Sequence, residues 1–219
     1  MAVGAEGDVA TSHRIAASLR EEILSGKYPP GTRIRQEDIA EQYGASRSPV
    51  REALRMLDAD GLVTLVANTG AWISQLSLVE CEEMYQIRER VEPLLLRSSI
   101  PNLTPEILDR LREMAKQLEE SDDVEKFLLF DRQFHLLSYS GASTALLGDM
   151  VQRLWNTTQH YRRAYTRLLA TDGFKSAHYE HHLLLEAISR SDTEDAERIL
   201  YGHIRRTRLE LAKHPEVFA

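Results

Sequence analysis

Asp131 and His135 lie four residues apart in a stretch of helical periodicity, so both side chains occupy one helix face, a turn apart. A carboxylate and an imidazole in that relation can share a metal ion. His181 and His203 fall in the last two helical stretches, which a turn near Ser191 separates. Ten residues run from His181 to that turn and twelve from the turn to His203. At about 1.5 Å of rise per residue, the two imidazoles stand at nearly the same height of an antiparallel pair. If the Asp131 helix packs alongside, one carboxylate and three imidazoles converge inside a bundle. That donor set suits a divalent transition metal, zinc first, with nickel, iron or manganese as alternatives, and leaves positions for water or an anion. His182 competes with His181, because the two differ by about 100° around the helix and only one can point squarely inward. A lone helical histidine is more often a surface or hydrogen-bonded residue. His160, His178 and His214 are read that way.

A second pattern lies near the N-terminus. Arg47, Arg51 and Arg55 recur every four residues, opposite an apolar stripe of Val50, Ala53, Leu54 and Leu57. A guanidinium fork can donate to O6 and N7 of guanine or clamp a phosphate. Ser46 and Ser48 sit at the start of that helix, where hydroxyls and free N–H groups suit phosphate oxygens. The same spacing also describes an ordinary solvated helix face with charged rows.

The elements needed to present these residues can be read from the chain. Ile15, Leu19, Ile23 and Leu24 mark a first helix that stops at Ser25-Gly26. A short helix over Gln36–Tyr43 is closed by Gly44, and a third begins at Ser46 or Ser48 and ends at Asp60-Gly61. Leu62–Val66 and Ala71–Ser74 read as two strands around an Asn68-Thr69-Gly70 turn. A short helix, a glycine turn, a helix with outward arginines and then a hairpin is the layout of a winged helix-turn-helix. Beyond Ser74 the pattern is helical throughout. Ser77 with Glu80 forms a capping box for a helix to about Ser99, and Thr104-Pro105 opens another to about Glu120. Further helices are expected over 123–139, 145–169, 176–190 and 192–213, joined by short loops that favour an antiparallel bundle. The fold class is therefore mainly α: a winged helix-turn-helix over 10–74, a short linker near Gln75 to Ser77, and an all-helical domain over 78–213.

Bulk properties set the limits. The net charge of −7 divides unevenly: residues 10–76 balance eight basic against eight acidic residues, while 77–219 hold nineteen against twenty-four. Attraction to DNA would thus come from a local cluster rather than a global field. No apolar run approaches the roughly 20 residues of a membrane span. Met1–Ala10 carries Glu6 and Asp8 without a basic start or apolar core, so no secretory signal is expected. A single cysteine, Cys81, excludes an internal disulfide and suits a reducing cytoplasm.

The runs Pro30–Ile34, Ile39–Gly44, Ser46–Leu54 and Asp60–Val63 resemble the DNA-binding domain of the GntR family, in order and spacing, over about residues 12–74. The resemblance implies that Ser46, Arg47, Ser48 and Arg51 contact DNA from the recognition helix and that Asn68, Thr69 and Gly70 form the wing tip. Glu37 stands where some members carry a contacting arginine, with Arg35 two residues earlier as its substitute, a departure that bears on operator preference. The segments Tyr85–Glu92, Phe130–His135, Glu180–Ile188 and Asp195 through His203 resemble the FCD effector domain of the FadR subfamily, over about residues 78–212. Members of its metal-binding type carry an Asp-x-x-x-His pair and two later histidines. These fall on Asp131, His135, His181 and His203, and the Glu-His-x-x-x-x-Glu-Ala-Ile frame favours His181 over His182. Arg88 matches an arginine of the first bundle helix, which could pair with an effector carboxylate or, equally, with Glu92. Arg162 and Arg163 are weaker candidates for the same role, and Trp155 and Tyr165 are read as core or interface residues.

Three functions compete. The first is a cytoplasmic, homodimeric regulator, read as a repressor. It would bind a palindromic double-stranded operator and sense a small carboxylate at the metal centre. The second is a metalloenzyme using metal-activated water, but no general base is evident and the helix-turn-helix would be unexplained. The third is a regulator with a structural metal and another ligand, such as a fatty acyl thioester.

Overall fold

The computed structural model describes residues 3–67, 70–121, 123–169 and 175–218. The chain divides into two compact units, the first formed by Met1–Leu76 with Arg153–His160, the second by Ser77–Gln152 with Tyr161–Ala219.

In the first unit, α1 (Val3–Leu24), α2 (Gln36–Tyr43) and α3 (Arg47–Ala59) surround one apolar core. Ile15, Leu19, Val50, Ala53, Leu54 and Leu57 have no exposed surface, each larger side chain contributing roughly 1.5–3 kcal/mol by leaving water. The turn between α2 and α3 is set by Gly44, whose φ of 59° is left-handed and costs a glycine nothing sterically. Ala45 N–H then reaches back to the Ala40 carbonyl at 2.9 Å, closing α2 as Ser46 begins α3. The hairpin strands are β2 (Val63–Val66) and β3 (Gly70–Ile73), antiparallel with Thr64 opposite Trp72.

The sheet has a third strand that the sequence reading did not anticipate. β1 (Arg33–Ile34) pairs with the outer edge of β3, giving the order β1-β3-β2. Two residues are too few to show alternation. Only the edge of β3 and burial of Ile34 turn this segment into a strand.

The second unit is all-helical: α4 (Leu78–Ser99), α5 (Pro105–Glu119), α6 (Val124–Ser138), both ends of α7 (Ala145–Leu169, whose residues 153–160 belong to the first unit), α8 (Lys175–Ser189) and α9 (Thr193–Leu211), with short 3-10 turns after α4 and α9. α4 packs on α9, α5 on α6 and α8, and α8 on α9. Ion pairs Arg208–Glu89 and Arg97–Glu197 lie at opposite ends of the α4–α9 contact and fix its antiparallel sense. α8 and α9 are joined by a tight turn in which Ser191 takes φ 57° and Asp192 N–H bonds the Ala187 carbonyl at 3.0 Å. Asp192 then caps α9 by accepting from Asp195 N–H. Among the described residues, no helix is long and apolar enough to cross a membrane.

The capping box at the start of α4 is complete. Ser77 Oγ accepts from the Glu80 N–H, and a Glu80 carboxylate oxygen accepts from the Ser77 N–H at 2.8 Å. The Ser77 N–H and the Ser77 hydroxyl, both donating to that carboxylate, hold the Glu80 carboxyl below its ordinary 4.5. Its contribution is therefore present above that range and lost as pH falls through the folded-state pKa. Ser77→Ala is expected to destabilise the helical unit by about 1 kcal/mol at neutral pH. Urea denaturation of the two proteins measures it, and an unchanged midpoint would contradict it.

Candidate metal centre and nucleic-acid interface

Four side chains converge in the second unit. α6 supplies Asp131 and His135 on its buried face, α8 supplies His181 and α9 supplies His203. Their candidate ligand atoms all lie within 4.8 Å of one another. His181 Nε2 is 3.2 Å from His135 Nε2 and 3.2 Å from Asp131 Oδ1, and His135 Nε2 is 3.9 Å from that oxygen. Bonds of about 2.0–2.1 Å to one zinc ion place neighbouring donors roughly 3–3.5 Å apart, so the set is close to what a single ion requires. The rings are tilted or edge-on, with centroids 5.0–5.2 Å apart, as radial ligands would be rather than stacked rings.

The surroundings favour donors over cations. Burial drives the His135 imidazole far below 6.5 and the His203 imidazole down to about 3, with His181 pushing both in the same direction. Both rings are thus neutral and offer lone pairs. Burial pushes the Asp131 carboxyl upward, but the Arg162 guanidinium and a hydrogen bond from His181 outweigh it and hold it well below 3.8. Arg162 of α7 is paired directly with the second Asp131 oxygen. The anion is therefore compensated by a cation of the protein, and the other oxygen faces the imidazoles.

The two adjacent histidines separate cleanly. His181 is buried in the cluster, whereas the His182 side chain is 43% exposed and lies 3.1 Å from Glu119. His160 and His178 stand outside the four-residue group, and His214 meets Glu216 at 2.9 Å. Trp155 and Tyr165 are buried.

Arg88 is buried, and its Nε donates to Glu92 at 2.5 Å. Glu92 also accepts from the Tyr139 hydroxyl at 2.7 Å, and the Arg88 guanidinium lies 4.8 Å from the centre of the Tyr85 ring. The Glu92 pairing is therefore realised in this structure. The reading of the sequence gave no role in the site to Tyr85, Tyr139 or Glu180, whose Oε2 meets His203 Nδ1 at 2.8 Å. Glu180 could have been noticed only through its place beside His181, level with His203. Arg163, the other arginine considered, instead pairs with Glu125 at 2.9 Å.

In the first unit, Arg47, Ser48, Arg51 and Arg55 are exposed along the outer side of α3, with Ser46 exposed at its N-cap. Arg47 is 3.3 Å from Glu37 of α2, and Arg55 is 3.3 Å from Glu52 on its own helix. Arg35 occupies the N-cap of α2 and is exposed. Gly70, where the hairpin re-enters β3, lies beside the Arg33 side chain. Asn68 and Thr69 lie outside the described residues. Arg33 lies over Trp72, 5.6 Å from its ring centre, at the base of the same hairpin.

Known proteins share both halves. Residues 83–206 match the FCD domain and residues 11–73 match the bacterial regulatory proteins of the gntR family. The chain is 27% identical over 199 residues to the HTH-type transcriptional regulator McbR of Escherichia coli K12, covering 88% of each chain. It is also 27% identical to the gluconate operon transcriptional repressor of Bacillus subtilis, covering 83% of this chain and 77% of that one. Among solved structures, E. coli McbR/YncC superposes with a TM-score of 0.81 at 23% identity, covering 93% of this chain and 98% of that one. At that identity, the superposition speaks for the fold alone.

Proposed function

Because the chain belongs to the gntR family of bacterial regulatory proteins and carries an FCD domain, we propose that it is a repressor whose operator binding is controlled by a small carboxylate held at a metal centre. As a member of that family it is a DNA-binding transcriptional regulator and not an enzyme. The observation that carries the finer reading is the convergence of Asp131, His135, His181 and His203 in the buried interior of that FCD domain.

In this reading, residues 10–74 bind DNA and residues 78–213 form the effector domain, which fits the FadR subfamily. Arg47 and Arg51, with Ser46, Ser48 and Arg35, meet the operator, and Asn68, Thr69 and Gly70 reach a neighbouring groove. The chain acts as a cytoplasmic homodimer, since paired helix-turn-helix units match a palindromic operator. The four ligands would hold zinc, with nickel, iron or manganese as substitutes, and a bound ion would supply positive charge for an anionic effector. Asp131 contributes one oxygen to that set while Arg162 neutralises the other. Arg162 and Arg88, paired in this structure with Asp131 and Glu92, are the cations that a carboxylate effector would come to share. Control of DNA binding requires that the effector favour one arrangement of the protein over another.

Calorimetric titration of the zinc-loaded protein against a panel of small organic acids tests this reading. At least one acid is expected to bind and to change the affinity for the operator, and Arg162→Ala is expected to weaken that acid by about tenfold or more, the scale of one charge-assisted pair. Heat from no acid, or binding without any change at the operator, would refute metabolite control.

A further inference from the structure

His203 offers the cluster only one edge of its ring. Its Nδ1 lies 2.8 Å from Glu180 Oε2, so Nε2 is the nitrogen turned toward Asp131, His135 and His181. Glu180 belongs to α8 and His203 to α9, so this contact crosses between the two helices that bring the last two imidazoles together. The other carboxylate oxygen of Glu180 is paired with Arg206, one turn further along α9. The carboxylate is thus gripped by two side chains of one helix face, and its side chain is only 15% exposed.

That arrangement has a chemical consequence. Beside the Arg206 guanidinium the carboxylate accepts hydrogen bonds, so the His203 Nδ1 must donate. A neutral imidazole that carries its proton on Nδ1 has its lone pair on Nε2, the form a metal ligand needs. The opposite tautomer would aim a lone pair at an anion and an N–H at the ion site. We propose that Glu180 is a positioning residue for the metal centre: it holds His203 in the Nδ1–H tautomer and in the ring orientation that presents Nε2, and Arg206 holds Glu180 in turn. This rests on the reading of Asp131, His135, His181 and His203 as ligands. Glu180 is not itself one of them, since its oxygens are engaged by His203 Nδ1 and by Arg206 and it lies outside the group of mutually close ligand atoms.

Two measurements on the full chain test it. Nitrogen-15 spectroscopy of the metal-free wild type reads the His203 tautomer directly and needs no variant. The expected form is Nδ1–H, and Nε2–H would overturn the proposal. Zinc affinity is then measured by competition with a chelating dye for the wild type, Glu180→Gln, Glu180→Ala and His203→Ala. Glu180→Ala is expected to lose about 10- to 100-fold in affinity, as loss of an outer carboxylate on a ligating histidine does. Glu180→Gln is expected to lose affinity as well, because its single amide oxygen goes to the Arg206 guanidinium and its NH2, a donor, is left facing His203 Nδ1. Wild-type affinity in Glu180→Ala or in Glu180→Gln would overturn the proposal while leaving the metal centre standing. Failure of the wild type itself to take up zinc would instead remove the centre on which the proposal rests.

Discussion

Alanine at Arg47 or at Arg51 is expected to weaken operator binding by about 5- to 150-fold each, and alanine at both to abolish a specific gel shift. The range corresponds to about 1–3 kcal/mol for one bidentate base contact. Both side chains project from the first turns of α3, the part of a recognition helix that meets base edges. Arg55 lies a further turn along and meets Glu52, so its replacement should cost less. Arg47 has a neighbour of its own in Glu37, but at 74% and 59% exposure that pair is held only weakly. DNA can therefore compete for the guanidinium. Because these side chains stand outside the core, circular dichroism and metal content should match the wild type. Because residues 10–76 carry no net charge, affinity should depend on these few arginines and not on a diffuse basic field. Unchanged gel-shift affinity in both variants would sink the recognition-helix assignment.

Metal analysis after gel filtration is expected to find about one zinc per chain in the wild type and in His182→Ala, and little in His181→Ala. The contrast follows from a rotation of about 100° between neighbours on a helix. His181 points into the cluster, whereas His182 meets Glu119 at the surface. Zinc at about a thousand times its Kd would stabilise the fold by about 4 kcal/mol. For a chain of this size that is about 8–16 °C in Tm, and a chelator should remove it. In His181→Ala the chelator should have almost no effect. The metal-free protein is expected to remain folded, because Arg162 balances Asp131 and burial keeps His135 and His203 neutral. Metal retained by His181→Ala and lost by His182→Ala would reverse the choice of ligand.

Much of this architecture could be read from local patterns. Helical repeats of apolar residues, the Ser77/Glu80 cap, Gly44 and the Thr104-Pro105 start depend on neighbours within a few residues, so they survive reading in one dimension. So did the relation between Asp131 and His135, and the equal height of His181 and His203, because helical rise is nearly constant and the turn at Ser191 is short. β1 escaped because a two-residue strand exists only when the edge of β3 is there to pair with it.

The four-residue cluster is where the two kinds of knowledge divide. The sequence by itself determined which side chains could be ligands and put two of them on one helix face. The tertiary structure alone decided that α6, α8 and α9 bring all four within 4.8 Å. It also set Arg162 of α7 against Asp131 and Glu180 against the far edge of His203. The reason is physical: spacing along a helix is fixed by backbone hydrogen bonds, whereas the approach of one helix to another depends on packing among side chains far apart in the chain.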